Sequence, residues 1–397
     1  MAKERIGLMG GTFNPIHSGH IAMAKAALEA QKLDEVLVIP SGNPPHKHDV
    51  APAEDRWRMV CAACAPEPSL TPSRIELDRQ GVIYSVDTLE ALHAQRPKAE
   101  LFFIIGADTL MELHSWRESE RVLSLCTFLV CPRAWSYTPD QLMQERKRLT
   151  ALGGRFITLD MDVVNVSSTQ VRQSLQAGEP TPLLPVPVRE YCSLTGLYGM
   201  PPRFPQAQDW LQKLFGALSV KRFAHSLAVA YTARRMARVH GLDQHQAEAA
   251  GLLHDCAKCM PLAQMRGLSE LHNLTDDPAV LAEGRLQHSL VGAYLAAADY
   301  GVSDPEVLRA IASHTTGKPG MSKLEMLIFL ADKIEPTRES YPTLEKVRML
   351  SELSLERAVL CSMEGTIRYL AQRGKTPHPA TGQTAAWLKT LPEINKK

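Results

Sequence analysis

Two patterns of hydrophobic positions divide the sequence into halves. In the first half, short and almost continuous apolar runs alternate with helical stretches. The runs cover residues 6–9, 36–39, 101–105, 127–130 and 156–159. Strands that are apolar on both faces and separated by helices are typical of a parallel sheet covered on both sides. We therefore expect residues 1–198 to form an α/β domain with a Rossmann-like parallel sheet.

The second half has a different pattern, in which apolar positions recur with the period of a helix. One long predicted helix passes through His225, Val229 and Met236. Further helices are predicted over 247–258, 286–300, 305–313 and 324–334. No strand pattern is visible, so we expect an all-α domain over residues 207–397. Three prolines and a glycine within 199–205 predict a stiff linker, which we place at 199–206.

The length and composition of the chain indicate two hydrophobic cores and argue against nucleic acid and membranes as partners. A chain of 397 residues exceeds one typical core, and its 45% hydrophobic and 22% charged residues are those of a globular protein. The 44 basic and 43 acidic residues leave neither half basic enough to indicate nucleic-acid binding. No signal peptide or membrane-length apolar run is visible, so we expect a cytoplasmic protein. No pattern bears on the oligomeric state.

The eight cysteines are expected to be reduced thiols in that compartment. Two pairs, Cys61/Cys64 and Cys256/Cys259, have C-x-x-C spacing, for which zinc or redox roles are possible. Both pairs lie in predicted helices among alanines. We therefore interpret them as small apolar residues.

The first candidate site is the glycine turn after the first apolar run. Gly10 and Gly11 precede a helical stretch that begins near His17 and His20. Glycine allows close backbone approach to a ligand, and a helix N-terminus attracts phosphate. Two histidines spaced three apart can face the same anion. A tight turn with two surface histidines is the alternative interpretation.

Other candidate groups follow later strands. The loop after the second run ends in His46 and Lys47, which can contact phosphate. Asp108 follows the third long run and can accept ribose hydroxyls, or can instead cap a helix. Trp116 can stack on a flat ring or pack in the core. The stretch 167–172 combines hydroxyls that can cap a helix with an arginine in the first turn, which again suits an anion.

Together these motifs resemble bacterial nicotinate mononucleotide adenylyltransferases over residues 4–198. The matching motifs are Gly-Gly-Thr-Phe-Asn-Pro-Ile-His-x-Gly-His, Pro-Pro-His-Lys, Ile-Gly-Ala-Asp with Trp116, and Ser-Ser-Thr-x-x-Arg. The family often has Asp at the position of Asn14, and we expect Asn to keep the turn-forming hydrogen bonds. The resemblance implies transfer of an adenylyl group from ATP, with Mg²⁺, to nicotinate mononucleotide, which gives deamido-NAD and pyrophosphate.

The resemblance also implies roles for individual residues. Catalysis would involve His17, His20 and Lys47. ATP would contact Gly10, Gly11, Thr12, Phe13, His20, Gly106, Ser168, Thr169 and Arg172. The nicotinate nucleotide would contact Asn43, Thr88, Asp108, Trp116 and Arg133.

The second half carries well-separated histidines and aspartates in apolar helical settings. They are His225, His254, Asp255, His288, His314 and Asp332. Imidazole and carboxylate are ligands for iron, manganese or zinc, and a carboxylate between two ions can bridge them. A single histidine of this kind is more often a satisfied core residue. The adjacent pair His254-Asp255 makes that interpretation weaker, since a buried charge requires a partner or a metal.

This order resembles the HD-domain metal phosphohydrolases over residues 207–375, and most closely the bacterial group that cleaves diadenosine tetraphosphate symmetrically. The wider matches include Lys221-Arg222-Phe223-x-His225, His254-Asp255-x-x-Lys258 and Leu330-Ala331-Asp332-x-Ile334-Glu335-Pro336. By the family's pattern, the six residues would hold two divalent ions, expected to be iron, and these ions would activate a water molecule. Lys258 would lie against the phosphates.

We therefore expect a chain with two enzymatic activities, with ATP, nicotinate mononucleotide and diadenosine tetraphosphate as ligands. In one alternative, the HD domain senses nucleotides and regulates the first domain without turnover. In another, it cleaves a different phosphoester. For the first domain, the alternative acceptor is nicotinamide mononucleotide.

Overall fold

The computed structural model describes residues 3–42, 49–132, 137–162 and 164–395. The chain divides into two compact units, Met1–Cys192 with Gly196–Pro201 and Ser193–Thr195 with Pro202–Lys397. We refer to them as the first and second unit. The linker at 199–206 and the exact domain limits stay predictions.

The first unit contains a parallel sheet of six strands. They are β1 (Arg5–Gly11), β2 (Glu35–Pro40), β3 (Leu70–Pro72), β4 (Glu100–Gly106), β5 (Thr127–Cys131) and β6 (Arg155–Thr158). Their order is β3-β2-β1-β4-β5-β6, and every neighbouring pair is parallel. The predicted α/β fold is confirmed, and all five apolar runs lie in or directly at strands.

Helices connect these strands and cover the sheet. They are α1 (Ser18–Gln31), α2 (Ala53–Cys64), α3 (Ser85–Gln95), α4 (Ala107–Glu112), α5 (Ser119–Leu125), α6 (Pro139–Ala151), α7 (Ser168–Ala177) and α8 (Val186–Thr195). Short 3₁₀ turns follow at Leu113–Ser115 and Leu197–Gly199. One core between sheet and helices includes Leu8, Ile39, Leu89, Phe103 and Phe128, all buried.

The strand order fixes where a ligand can bind. The chain leaves β1 towards β2 on one side and later returns to β4 on the other, so the order reverses between β1 and β4. Ligands of open parallel sheets bind at the carboxyl ends of the strands at this point. Gly11 ends β1 and Gly106 ends β4. The glycine turn and the Gly106-Ala107-Asp108 motif therefore lie at the same edge of the sheet.

In the described residues of the second unit, every regular secondary-structure element is a helix. Its helices are α9 (Ala207–Ala217), α10 (Val220–Val239), α11 (Gln244–Leu253), α12 (Leu262–Leu271), α13 (Pro278–Ala282), α14 (Gly284–Ala298), α15 (Pro305–Ser313), α16 (Lys323–Ile334), α17 (Leu344–Ser351), α18 (Leu355–Gln372), α19 (Pro379–Leu388) and α20 (Pro392–Asn395). The predicted all-α domain is confirmed.

The core of this unit is built around α10, which packs against α11 and α16. Helix α15 packs against α11, α14 and α16. Small alanines on α10 and larger apolar residues on α16, such as Leu327 and Leu330, are completely buried. This packing brings residues from distant parts of the sequence to one point. No helix in the described ranges combines the length and apolar character needed to cross a membrane.

Candidate functional site

The glycine turn of the first unit carries a pair of stacked imidazoles. His17 is the N-cap residue of α1, and the rings of His17 and His20 stack at 3.7 Å. The backbone N–H of His17 donates to Nδ1 of His20 over 3.2 Å. A neutral imidazole that accepts at Nδ1 carries its proton at Nε2. His20 therefore presents an N–H donor beside the helix N-terminus, as anion binding requires.

Gly19 allows the two histidines to adopt this arrangement. A Cβ at Gly19 would lie 2.8 Å from Cγ1 of Val166 and 3.1 Å from Nδ1 of His17. Contacts below about 3 Å are not tolerated, so any larger residue would push the His17 ring or the segment before α7 away. The glycine of the His-x-Gly-His motif is thus required by close packing.

Helix α7 binds directly to the glycine turn. The hydroxyl of Ser168 donates to the carbonyl of Pro15 over 3.0 Å. The guanidinium of Arg172 donates to the carbonyl of Asn14 over 2.9 Å and to Oγ1 of Thr169 over 3.3 Å. Two candidate anion-binding motifs that are 153 positions apart in sequence therefore meet at the end of β1.

Asn14 does more than form a local turn. Its Nδ2 donates to the carbonyl of Asp49 over 3.2 Å, and its Oδ1 accepts from the backbone of Ala51 over 3.0 Å. Both bonds join the glycine turn to a segment more than 30 residues away. The expected turn-forming bonds are thus replaced by long-range bonds, which an aspartate could make only in part because it has no N–H group.

Arg56 of α2 is a buried arginine that the sequence did not single out. It is 1% exposed and donates to the carbonyls of Thr12, Ser41, Gly42 and Ala51 over 2.7–3.0 Å. Burial lowers the pKa of Arg56. Through these hydrogen bonds, the guanidinium connects the turn after β1 to the loop after β2.

Thr88 lies in the first turn of α3, and its polar groups have partners within the protein. The hydroxyl of this buried residue donates to Oε1 of Glu76 over 2.8 Å, and its N–H donates to the carbonyl of Tyr84. Burial raises the pKa of Glu76 to about 7. No motif in the sequence points to Glu76. In this arrangement, Thr88 positions Glu76 as well as the start of α3.

Asp108 and Trp116 follow β4. Gly106 is the N-cap of α4, so Asp108 lies within the first helical turn and is not the capping residue. Trp116 is partly buried, and its ring meets Phe103 edge-on at 5.8 Å. Trp116 is thus anchored on the core, as one of its two interpretations predicted.

Four residues named from the sequence lie outside the described residues. They are Asn43, His46, Lys47 and Arg133. Their assigned roles stay predictions.

In the second unit, the predicted ligands converge in the core. His225 lies on α10, His288 on α14 and Asp332 on α16, while His254, Asp255 and His314 directly follow α11 and α15. Each is at most 7% exposed. The predicted helix over 247–258 was too long, because α11 ends at Leu253 and a series of turns carries residues 254–259. These turns direct His254 and Asp255 to the same point.

Asp255 lies between two pairs of histidines. Its Oδ2 is 3.6 Å from Nε2 of His254 and 4.0 Å from Nε2 of His225. Its Oδ1 is 3.0 Å from Nε2 of His288 and 3.6 Å from Nε2 of His314. With a histidine pair facing each of its oxygens, Asp255 would be one of the residues that hold divalent ions here.

The donor set fits a pair of divalent ions. Nε2 of His254 is completely buried, has no hydrogen-bond partner among the described residues and lies 3.7 Å from Oδ1 of Asp332. Two groups have ligand atoms within 4.8 Å of one another, His225/His254/Asp332 and His254/Asp255/His314. Such a buried nitrogen costs free energy unless a ligand satisfies it, so these residues could hold a metal.

The protonation states of His288, His314 and the two aspartates also suit metal binding. For His225 burial opposes the charged form, but the hydrogen bonds to Asp332 and Glu335 raise its pKa. Burial lowers the pKa of His288 to about 4 and lowers that of His314. Although burial opposes ionisation, neighbouring His254 holds the pKa of Asp255 well below its usual value, and Lys333 does the same for Asp332. Neutral imidazoles and ionised carboxylates are the forms that bind metal.

Basic side chains surround this cluster. Arg222 donates to Oδ2 of Asp255 over 3.0 Å. Lys333 and Arg338 donate to the two oxygens of Asp332 over 2.7 and 2.6 Å. Neither Lys333 nor Arg338 was assigned a role from sequence, although both belong to the segment after a candidate ligand. Their charges favour an anionic ligand at the cluster.

Lys258 and Thr315 complete this surrounding shell. The Nζ of Lys258 lies 2.9 Å from Nε2 of His288. The hydroxyl of Thr315 lies 3.4 Å from Nε2 of His288 and 3.3 Å from Nε2 of His314. Burial lowers the pKa of Lys258. Both groups therefore face nitrogen atoms of the candidate metal ligands.

The cysteine pairs do not contribute to the metal-ligand groups found among the described residues. Cys61 and Cys64 are buried free thiols of α2, and burial raises the pKa of Cys64 to about 12. Cys256 is also buried, whereas Cys259 is exposed. The second pair lies in turns and not in the predicted helix.

Two family models match the two units. The cytidylyltransferase-like model matches residues 8–174, and the HD domain model matches residues 222–337. A Nocardioides protein named "Probable nicotinate-nucleotide adenylyltransferase" is 41% identical over 193 residues, which cover 48% of this chain and 92% of that protein. The first match ends close to α7 and the second contains all candidate metal ligands.

Two Mycoplasma proteins match across both units. Each is named "Probable nicotinate-nucleotide adenylyltransferase/Ap4A hydrolase". The protein of Mycoplasma pneumoniae is 31% identical over 83% of this chain and 88% of its own length. That of Mycoplasma genitalium is 28% identical over 91% and 97%. The chain therefore belongs to the nicotinate-nucleotide adenylyltransferase family, in the group that joins this domain to an HD domain and is named nicotinate-nucleotide adenylyltransferase/Ap4A hydrolase.

Proposed function

We propose that this chain carries two activities, one in each unit. The first unit transfers the adenylyl group of ATP to nicotinate mononucleotide, which yields deamido-NAD and pyrophosphate. The second unit hydrolyses diadenosine tetraphosphate (Ap4A) to two molecules of ADP with a pair of divalent ions. The names of the Mycoplasma relatives support this pair of reactions.

The meeting of α7 with the glycine turn supports the first activity most directly. His20 lies in the first turn of α1, directly after the glycine turn, and the guanidinium of Arg172 donates to the carbonyl of Asn14 in that turn. There they would bind the triphosphate of ATP, which Mg²⁺ accompanies. An acceptor phosphate oxygen attacks the α-phosphorus, and the bond to the β-phosphate oxygen breaks. Positioning and charge stabilisation then account for catalysis.

The acceptor side of this site is assigned from the resemblance and from position. Asp108 and Trp116 follow β4, whose end lies at the same edge of the sheet as the glycine turn, and Thr88 lies in the first turn of α3. We assign these residues, with Asn43 and Arg133, to the nicotinate nucleotide, and Lys47 to the transferred phosphate.

Acceptor choice is tested by direct competition. Equal concentrations of nicotinate and nicotinamide mononucleotide with ATP should give mainly deamido-NAD, measured by chromatography of the products. A preference for NAD would favour the alternative acceptor. Equal amounts of both products would show that the site does not distinguish the carboxylate of the nicotinate nucleotide from the amide of the nicotinamide nucleotide.

The position of Asp255 between two histidine pairs supports the second activity. We assign His225, His254, Asp255, His288, His314 and Asp332 as the ligands of the ion pair. Such ions supply Lewis acidity to phosphate oxygens and lower the pKa of water. Lys258, Arg222 and Arg338 would bind the phosphates as negative charge develops. Symmetric cleavage breaks the bond between the two central phosphates, so the chain takes up one water and releases two ADP.

Product analysis tests this assignment. Incubation of the intact chain with Ap4A should give ADP as the sole nucleotide product. AMP with ATP would show cleavage at another bond, and no turnover in a panel of nucleotide phosphoesters would support a sensing role. In that case, an Asp255→Ala variant should still regulate the first unit. Metal analysis of protein purified without added metal tests the proposal that the ions are iron.

A further inference from the structure

We propose that Glu335 is a positioning residue that holds His225 and thereby controls one of the two ion positions separately from the other. This inference rests on the proposed metal centre and deepens it. Glu335 is not one of the six candidate ligands. It lies at the end of α16, where the backbone leaves the helical conformation after Ile334.

The contacts of Glu335 show a carboxylate that is held rigidly. It is 1% exposed, and its Oε1 lies 3.1 Å from Nδ1 of His225. Thr337 donates to it twice, from the backbone to Oε2 over 2.6 Å and from the hydroxyl to Oε1 over 2.8 Å. Because both carboxylate oxygens are used, the side chain has one favoured position. His225 is thus oriented by a fixed acceptor.

The bond to Glu335 determines which nitrogen of His225 faces the cluster. A carboxylate accepts, so Nδ1 of His225 carries a proton. Nε2 then points to the cluster, where it lies 3.0 Å from Oδ1 of Asp332. Partners of this kind fix the tautomer and ring orientation of metal-ligating histidines and raise their basicity.

Two of the other three histidines, His254 and His314, are held differently. Nδ1 of His254 bonds the carbonyl of Gly251 and Nδ1 of His314 bonds the carbonyl of Ile311, each over 2.7 Å. Both acceptors belong to the turn of chain that precedes the histidine. Their orientation follows from the local backbone, whereas that of His225 depends on a side chain 110 positions away.

This difference separates the two ion positions. His225 and His254 lie on the Oδ2 side of Asp255, whereas His288 and His314 lie on its Oδ1 side. Loss of Glu335 would leave the Nδ1–H of a buried ring without its acceptor, so the ring would turn. Changing such a partner typically weakens metal binding about 10- to 100-fold. Only the ion on the His225 side should be affected.

Titration with Mn²⁺ tests the inference without substrate. The intact chain, stripped with a chelator, is titrated while free Mn²⁺ is followed by electron paramagnetic resonance. We compare wild type with Glu335→Ala, the isosteric Glu335→Gln and the control Glu356→Gln. Glu356 is another buried glutamate of this unit, paired with Lys323 and Ser354. His225→Ala, alone and combined with Glu335→Ala, completes a double-mutant cycle.

We expect wild type and Glu356→Gln each to bind two Mn²⁺ ions, and we expect the dissociation constants to be the same in the two proteins. Glu335→Ala should keep one ion at wild-type affinity and bind the other about 10- to 100-fold more weakly. In Glu335→Gln the amide oxygen can still accept from Nδ1–H of His225, so this variant should bind the second ion more weakly than wild type but more tightly than Glu335→Ala. Adding Glu335→Ala to His225→Ala should cause no further loss. Two unaffected ions in Glu335→Ala, or equal weakening of both, would overturn the inference. Absence of Mn²⁺ uptake by wild type would instead overturn the metal centre itself, and the inference with it.

Discussion

His20 is a hydrogen-bond donor at the first site because of the position of one backbone group. The N–H of His17 occupies Nδ1 of His20, so the proton of the neutral ring resides on Nε2. The stacked His17 ring and the edge of Phe13, at 5.1 Å, hold the imidazole in place. At the scale of single residues, the chemistry is thus set by contacts within eight positions of sequence.

Replacing His20 by Ala should therefore impair catalysis more than folding. Removing one preorganised donor to a developing negative charge costs about 10²- to 10³-fold in kcat. Steady-state kinetics with ATP and nicotinate mononucleotide should show this fall, with little change in the KM of the acceptor. His114→Ala, at a half-exposed histidine of the same unit, serves as control. An unchanged kcat in His20→Ala would remove His20 from the proposed mechanism.

Glu76 should make the stability of the first unit depend on pH. Its pKa is raised from 4.5 to about 7 by burial, so the folded chain holds a proton here that the unfolded chain has lost. The stability that this proton contributes is complete below pH 4.5 and is lost as the pH rises through 7. The free energy of unfolding should fall by at most about 3 kcal/mol over this range. Glu76→Gln should therefore be relatively more stable at pH 8 than at pH 5, as measured by urea unfolding. If the difference in unfolding free energy between Glu76→Gln and wild type were the same at pH 5 and pH 8, this prediction would be contradicted.

At the scale of helices and strands, the sequence predicted most of the first unit. The apolar runs marked β1, β2, β4, β5 and β6 because strands buried on both faces have a continuous hydrophobic pattern. The edge strand Leu70–Pro72 was not predicted, since three residues are too few to show any period. Helix α11 ends earlier than expected because His254 begins a series of turns.

The residues that support the sites were harder to predict than the residues that line them. Histidines and aspartates in apolar surroundings are conspicuous, and the resemblance to HD domains united them. In the sequence, Arg56 looks like an ordinary charged residue of a helix surface, and Glu335 belongs to a segment that resembles HD domains but has no role assigned to it. Their roles depend on partners 44 and 110 positions away, Thr12 and His225, which only the tertiary structure brings close.

Arg56 should be required for the connection between the ends of β1 and β2. Arg56→Met would leave buried carbonyls of four residues without their donor, so we expect a loss of about 3–5 kcal/mol in the free energy of unfolding. Arg56→Lys keeps the charge but not the fork of donors and should lie in between. Denaturant unfolding measures both. Arg121→Met, at an exposed arginine, should change stability by less than about 0.5 kcal/mol.

At the scale of the whole molecule, each unit has its own core and its own candidate site. Each site is assembled entirely from residues of one unit. The two proposed reactions share adenine nucleotides joined through phosphates, but their machinery is separate. Changes at one site should therefore leave the chemistry of the other site intact.

Paired assays on one preparation test this independence. Asp255→Ala should abolish Ap4A hydrolysis while the rate of deamido-NAD formation stays within about twofold of wild type. His20→Ala should give the reverse pattern, because the HD unit contains none of the residues around the glycine turn. A variant that loses both activities while remaining folded would show that the sites depend on each other.

The most direct test of the central claim is the metal content and Ap4A hydrolysis of the intact chain, purified without added metal. A variant with both His254→Ala and Asp255→Ala is measured beside it. We predict about two metal ions per chain and ADP as the sole product, both lost in the variant while adenylyl transfer continues. An intact chain with no metal and no ADP formation, but with full adenylyl transfer, would contradict the account and leave the molecule with one enzymatic activity.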